Sequence, residues 1–502
     1  MLDPERRRAT LIASLTEAPD GLAPGDLASA EIVECRADLL GDLSPRVLTQ
    51  RFDCKTLYTL RSTAEGGASE QASARRHQRL AAAAEVGYDF IDLEAARDLS
   101  PELLQRVPRE RRIVSWHGAA ADAGALFRRF EQMQGVEAAL YKLVPAAVQH
   151  GDDLAVLTFL AGVDRGDVAA FCSGPLGAWT RLVAPRLGAP VVFGSAGSVP
   201  AAPGQPTLAQ LVEDYGLPEL PPVERLFGIA GNPVAHSLSP RLHNAAYRAL
   251  GLPALYLPFH VETFGDFWLE VAEGAVLESI GLPLAGLSVT APFKEAALSV
   301  AAAASPLAER AGAANTLVAR GELWEADTTD AHGVVAPLVE RGVRLSGARA
   351  VVVGAGGAGR VAAVGLAAAG ARVTLANRGA ARGREVAEEL GLPFVPLAEL
   401  EPRDFQVLVN ATSLGRGADE AGPVSAHRLA PEAVVVDMVY RYPEGRPAPT
   451  RLVREARERG LIAVDGLELL LAQARPQFRQ MTGCEYPAPL GRRLLGLPEE
   501  ER

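Results

Sequence analysis

Cysteine is scarce in this 502-residue chain: four residues, Cys35, Cys54, Cys172 and Cys484, scattered without metal-type or redox spacing. That usage excludes a disulfide-stapled fold and fits a reducing, cytoplasmic setting; no metal is expected. No uninterrupted apolar run is long enough to span a bilayer, and the opening MLDPERRRAT lacks the apolar core of a signal peptide. Positive charge is short as well. With 50 Lys and Arg against 61 Asp and Glu, the net charge of -11 argues against nucleic acid or an anionic membrane as a partner. Repeats are absent, and the only biased tract is an expected Ala-rich helix around Ala301. What remains, 48% hydrophobic and 22% charged, is an ordinary soluble globular composition at a length of about three domains.

The most informative stretch is Ala350–Arg378, AVVVGAGGAGRVAAVGLAAAGARVTLANR. Val351, Val352 and Val353 form a β-branched run suited to a buried parallel strand. Gly354, Gly356, Gly357 and Gly359, with Ala355 and Ala358 between them, then open an Ala/Val-rich helix that closes at Gly370. A second strand follows from Arg372 to Ala376. Strand, G-x-G-x-x-G and helix in that order make a dinucleotide-binding fingerprint, whose glycines let the backbone approach a pyrophosphate at the helix N-terminus. An NAD site usually carries Asp or Glu at the end of the second strand. Here stand Asn377 and Arg378, with Arg382 four residues on. That cationic pair suits a 2′-phosphate, so NADP is expected rather than NAD.

Eight strand-like runs fill the first two hundred residues, beginning at Leu11, Glu31, Thr56, Tyr88, Arg112, Leu140, Asp167 and Pro190. With helices between them they predict a (β/α)8 barrel. Glu34, Arg36, Arg61, His117 and Lys142 cluster where these strands end, the side on which such barrels gather reacting groups. Lys142 lies inside an apolar strand, LYKLV; it reads as a snorkelling strand-end lysine or as a desolvated amine able to form a Schiff base. His117 is the matching general acid/base, or else a buried histidine with satisfied nitrogens. Arg36, Arg61 and Arg181 are cations able to hold a carboxylate, although singly each also reads as a surface arginine.

Leu217–Val223, LPELPPV, marks a linker, and the chain restarts with a strand and GNPVAHSLSPRLHN. Ser237 and Ser239 precede a helix beginning near Pro240, as N-capping residues or as hydroxyls facing a polyhydroxylated ligand. Lys294 then follows a strand in LSVTAPFK, Asn315 lies in GAANT, and Asp330 in TTDAHG. A Lys and an Asp beside a nicotinamide site suit proton relay to an oxygen that accepts hydride, though either alone reads as surface charge.

Residues 8–216 resemble type I 3-dehydroquinate dehydratase, through ECRAD (Glu34, Arg36, Asp38), RSTAEGG (Arg61, Glu65), SWH, the lysine strand and APGQ (to Gln205). The resemblance implies an imine at Lys142, proton transfer by His117 oriented by Glu65, and substrate contacts from Glu34, Arg36, Arg61, Arg181 and Gln205. Three positions depart from that pattern: Gly118 for the usual Asp, Ala201 for the usual Ser, and Gly174-Pro175 for Met-Gly.

Residues 226–483 resemble shikimate dehydrogenase, through GNPVAHSLSPRLHN, SVTAPFK, AANT, TTDAHG, GAGGAGR, NATSLG and LAQARPQF. Ser288, Thr328 and Gly379 depart from the pattern. This resemblance implies Lys294 and Asp330 as the catalytic pair, with Ser237, Ser239, Thr290, Asn315, Tyr440 and Gln473 on the substrate. Arg378, Arg382, Thr412, Met438 and Gly466 would join the glycine loop and Asn377 at the cofactor.

The expected fold is therefore α/β: a barrel over 1–218, a substrate domain over 224–336 completed by 465–502, and a Rossmann NADP-binding domain over 337–464. The expected function joins two steps, dehydration of 3-dehydroquinate and NADPH-dependent reduction of 3-dehydroshikimate to shikimate. Two competitors remain. One is a dehydrogenase oxidising quinate or shikimate, whose use of NAD Arg378 and Arg382 argue against; the other is a non-catalytic ligand sensor, against which the acidic chain and its intact Lys and His groups argue.

Overall fold

The structure, a computed structural model, describes residues 8–22, 24–120, 122–197 and 199–498; most of the charged opening stretch and the outer ends of the expected terminal domains lie outside them. The chain divides into two compact units. One takes the described residues up to Leu226 together with Gly251–Leu284, and the other takes Phe227–Leu250 and the residues from Ala285 on.

In the first unit all eight expected strands are present: β1 (Thr10–Leu15), β2 (Ile32–Arg36), β3 (Lys55–Thr59), β4 (Phe90–Glu94), β5 (Arg112–Gly118), β6 (Leu140–Pro145), β7 (Val168–Ala170) and β8 (Val191–Ser195). They form one nearly closed parallel sheet in the order β7-β6-β5-β4-β3-β2-β1-β8, in which the last strand, β8, pairs with the first, β1. Phe171, just past β7, packs on Phe193 of β8 with ring centroids 6.1 Å apart, across the two ends of the sheet. β2 and β6 are buried along their whole length, as parallel strands covered by helices require. A buried strand can carry charge only where partners wait for it. That condition makes Glu34, Arg36 and Lys142 informative.

The next strands are β9 (Arg225–Gly231), β10 (Ala254–His260), β11 (Leu284–Val289), β12 (Ala303–Ala304), β13 (Thr316–Arg320) and β14 (Leu323–Asp327). Within the second unit the sheet order is β9-β11-β13-β14-β12. The Ala-rich helix expected around Ala301 does not form there: the helix is Lys294–Ser299, and Ala303–Ala304 pairs in parallel with β14 instead. Pairing to an existing sheet edge overrides alanine's helix preference.

The nucleotide-type sheet contains β15 (Arg349–Val353), β16 (Arg372–Asn377), β17 (Phe394–Pro396), β18 (Val407–Asn410), β19 (Val434–Asp437) and β20 (Ile462–Val464). It is parallel, in the order β17-β16-β15-β18-β19-β20. This is the doubly wound arrangement, whose strand order reverses between β15 and β18 and leaves a crevice at their carboxyl ends. Val352, Val409 and Val436 from adjacent strands share one core with Ala362 and Leu366 of the helix Gly357–Ala368. Each of the buried valines and Leu366 contributes about 1.5–3 kcal/mol. A charge at Val352 would break that core. Gly365 keeps the helix close to its neighbour, since a Cβ there would stand 2.8 Å from that of Ala331. Among the described residues no helix is long and apolar enough to cross a membrane.

Candidate active sites

The barrel strands deliver a buried ionic cluster. Lys142 on β6 donates from Nζ to Asp92 Oδ2 of β4 at 3.0 Å, with the Phe193 ring centroid 4.6 Å away. Arg61 spans three carboxylates, at 2.8 Å to Asp92, 3.1 Å to Glu65 and 3.3 Å to Glu94. Burial pushes Asp92 up, but Arg61 and Lys142 outweigh it and bring the carboxyl down to about 2. Both the backbone N–H and ring Nδ1 of His117 lie 3.0 Å from Glu65 Oε2. Burial, reinforced by Arg61 and Lys142, holds His117 well below the usual imidazole range, so the ring is neutral at pH 7. Burial raises Glu65 to about 7; Arg61 opposes it, and Glu94 and Asp92 add to it.

Around this centre Glu34 accepts from Ser14 at 2.5 Å and Thr59 at 2.7 Å. Arg36 is held by both oxygens of Asp38 and reaches Ala201 O at 3.3 Å. Gln205 donates to Ser14 Oγ at 3.3 Å and accepts from the Ala201 N–H at 3.0 Å. Arg181 is different. Its guanidinium is buried over the Phe171 ring at 4.0 Å and, among the described residues, donates only to Phe193 O at 3.4 Å. Its Nε has no partner, and no carboxylate pairs with it among the described residues. Burial, against the pull of Glu34, lowers it to about 10. A buried cation so poorly compensated suits an anionic ligand.

The residues expected from sequence in this half thus meet at one end of the barrel. Asp92 and Glu94 were missed, although the strand YDFIDLE presents them at alternate positions within an apolar run. Two carboxylates on one face of a buried strand are themselves the signal.

In the second unit Lys294 Nζ donates to Asp330 Oδ2 at 2.5 Å. Asn315 Nδ2 donates to Asp330 Oδ1 at 2.9 Å, and to Gln473 Oε1 at 3.3 Å. Thr329 joins the same network through Gln473 at 3.1 Å. Gly231 leaves room for Thr290, because a Cβ there would stand 2.2 Å from Thr290 Cγ2. Ser239, buried, begins the helix Ser239–Leu250, and its N–H donates to Ser237 Oγ at 3.2 Å. Tyr440 hydrogen-bonds Ser237, and burial pushes its phenol up. Tyr442 instead accepts from Arg241 Nη1 at 3.4 Å and donates to Leu494 O at 3.2 Å.

The glycine loop touches this cluster directly: a Cβ on Gly357 would stand 2.9 Å from Lys294 Cβ. Gly354 has φ +119° and lies against the Ala411 backbone, while a Cβ on Gly359 would stand 1.9 Å from Gly354 O. Gly356 faces open space and starts the helix with no side-chain cap, leaving first-turn N–H groups to an anion. Ala355 is buried at the turn, and Ala358 lies in the helix's first turn. These features fit a dinucleotide pyrophosphate.

Asn377 donates to Gly379 O at 2.9 Å, Arg378 is exposed, and Arg382 pairs with Glu295 and Glu385 at 3.1 Å each. Across the crevice Thr412 donates to Asn410 Oδ1 at 2.7 Å, and Asn410 donates to Asp437 at 2.9 Å. Asp437, which burial raises to about 6, also accepts from Thr450 and the Val439 N–H and so shapes the Met438–Tyr440 stretch. Gly466 lets the last long helix approach that stretch, since a Cβ there would stand 2.5 Å from Val439 O.

Three family models match the chain: type I 3-dehydroquinase over residues 14–220, shikimate dehydrogenase substrate binding domain over 229–317, and shikimate/quinate 5-dehydrogenase over 338–437. The chloroplastic bifunctional 3-dehydroquinate dehydratase/shikimate dehydrogenase of Arabidopsis thaliana is 32% identical over 497 residues, covering 92% of this chain and 79% of that one. The chain belongs to this bifunctional family. The NADP(+) shikimate dehydrogenase of Halobacterium salinarum is 43% identical over 273 residues, covering 54% of this chain and 98% of its own. A solved shikimate 5-dehydrogenase of Thermus thermophilus, in complex with NADP(H) and shikimate, is 36% identical with a TM-score of 0.47, covering 54% and 99% of the two chains.

Some departures from the dehydratase and shikimate dehydrogenase patterns have local explanations, whereas nothing in the structure explains Thr328 or Gly379. An Asp at Gly118 would put its Cβ 2.7 Å from the Trp116 ring. Gly174 has φ +90° and its Cβ position lies 3.1 Å from Ala147 O, which disfavours any side chain. Ala201 lacks a hydroxyl, but its backbone still engages Arg36 and Gln205. Ser288 donates to Gln477 at 2.7 Å, so its hydroxyl is tied into the sheet. Gly379 has space for a hydroxyl residue: a Cβ there would meet nothing nearer than Asn377 Nδ2, at 3.6 Å.

Proposed function

We propose that the chain dehydrates 3-dehydroquinate to 3-dehydroshikimate in the barrel and reduces that product to shikimate with NADPH in its second half. The observation that carries the proposal is Lys142, a buried amine on β6 in the ionic cluster that also holds the neutral His117 and the under-compensated Arg181. Lys142 Nζ would attack the substrate ketone and form an imine with loss of one water. His117, with Nδ1 occupied by Glu65, keeps Nε2 to take the α-proton and pass it to the departing hydroxyl. Hydrolysis of the imine returns the amine, so the net change is loss of one water. Arg181 would hold the substrate carboxylate, while Glu34, Arg36, Arg61 and Gln205 complete its binding.

In the second half, bound NADPH supplies the hydride. Lys294 and Asp330 would supply the proton to the ketone oxygen, held against the glycine loop by the small size of Gly357. Ser237, Ser239, Thr290, Asn315, Tyr440 and Gln473 would bind the substrate. Arg378, Arg382 and Thr412 would bind the cofactor, with Met438 and Gly466 beside it. We assign 1–218 to the dehydratase, 224–336 with 465–502 to the substrate domain, and 337–464 to the NADP domain, an assignment supported by the three separate sheets. The four free cysteines favour a cytoplasmic setting.

Single-site variants test the proposal. Lys142→Ala should abolish dehydration and leave reduction of 3-dehydroshikimate intact, and Lys294→Ala should do the converse. Retained dehydration in Lys142→Ala would sink the imine mechanism.

A further inference from the structure

Arg382, the cation expected to meet a 2′-phosphate, is already engaged. Its Nη2 donates to both oxygens of Glu295 at 3.1 Å, and its Nη1 to Glu385 at 3.1 Å. Glu385 lies one turn away on the same helix, Ala380–Leu390. Glu295 comes from another element: it follows Lys294 in the helix Lys294–Ser299 and also stands 3.8 Å from Arg360 Nε, on the helix that the glycine loop opens. Arg360 itself is buried and bound to Glu389 at 2.5 Å. One half-exposed carboxylate, next in sequence to the lysine against the loop, therefore faces the cations on two nucleotide-domain helices.

We propose that Glu295 is a specificity-determining residue that competes with the 2′-phosphate of NADP for Arg382 and so limits the preference for NADP over NAD. The proposal rests on Arg382 as a 2′-phosphate ligand. A phosphate dianion on Arg382 must displace the Glu295 contact or sit beside its charge, and both lower affinity. NAD, lacking that phosphate, asks nothing of Arg382. Contacts between exposed charges are weak and screened by salt, so the effect is modest and largest at low ionic strength.

The test is equilibrium titration of the full chain with NADP⁺, NAD⁺ and adenosine 2′,5′-bisphosphate, by calorimetry at low and high salt. Glu295→Gln should bind NADP⁺ and the bisphosphate roughly three- to tenfold more tightly at low salt, by relief of two weak charge contacts. NAD⁺ should move by less than about twofold, and the gain should vanish in Glu295→Gln/Arg382→Ala, because the cycle isolates the pair. Unchanged or weaker NADP⁺ binding in Glu295→Gln, with Arg382→Ala still costing NADP⁺ selectivity, would overturn the competition alone. An equal gain for NAD⁺ would overturn it too. Arg382→Ala that leaves NADP⁺ binding untouched would overturn the underlying role of Arg382.

Discussion

Glu65 Oε2 meets one residue, His117, twice: it accepts from the backbone N–H and pairs with ring Nδ1, each at 3.0 Å. A histidine held at both points cannot turn its ring without losing the carboxylate. Its neutrality comes from burial among cations, not from a weak partner.

Glu65 therefore sets a pH dependence. Its carboxyl is raised to about 7 by burial, so dehydration should rise along a limb of about that value as Glu65 ionises and orients His117. The linkage has the opposite sign for stability. A raised folded-state value means the folded form keeps its proton longer than the unfolded chain, so stability falls as pH climbs from about 4.5 to about 7. Glu65→Gln should lower kcat about 100-fold or more and remove that limb, a size usual for lost acid/base positioning. The same variant should resist urea better than the parent at pH 8, with the advantage gone near pH 4.5. No stability difference at pH 8 would remove the strain assigned to this carboxylate.

Asp92 works the other way. Its carboxyl is held at about 2, where Arg61 and Lys142 outweigh burial, so its contribution is present above the ordinary aspartate value and is lost as pH falls through about 2. Asp92→Asn should destabilise the chain by about 2–4 kcal/mol at pH 7, because two buried cations lose a shared partner. Urea unfolding at pH 7 and near pH 3 checks it. The gap between variant and parent should narrow at the lower pH.

Gly118 and Trp116 form a steric pair, so restoring the usual Asp should harm the barrel. With 2.7 Å between the added Cβ and the indole, Gly118→Asp should cost about 1–3 kcal/mol, as overpacking does. Trp116→Leu in the same chain should absorb part of that cost, a coupling that a double-mutant cycle in urea measures. Strict additivity of the two substitutions would contradict the clash.

Much of the fold was legible. Buried parallel strands announce themselves as short apolar runs, and all eight barrel strands and the β-branched Val351–Val353 strand lie where such runs stand. The helix expected around Ala301 failed because composition ignores a free sheet edge; Ala303–Ala304 found β14. Residues that carry motifs, such as His117 and Lys142 or Lys294 and Asp330, were legible one by one. Their partners were less so. Asp92 meets Lys142 from fifty positions away, and Glu295 meets Arg382 from eighty-seven. Sequence spacing holds no record of such encounters, because tertiary packing alone makes them. Charge in an apolar strand is the exception: Asp92 and Glu94 were open to view in YDFIDLE.

The most direct measurement gives the purified chain 3-dehydroquinate and NADPH together and follows enone absorbance and cofactor oxidation in one cuvette. NADPH should be consumed after a lag in which the enone forms, with no consumption in Lys142→Ala until 3-dehydroshikimate is added. Enone that accumulates while NADPH stays constant, or NADPH oxidation that proceeds unchanged in Lys142→Ala from 3-dehydroquinate, would contradict two successive sites in this chain.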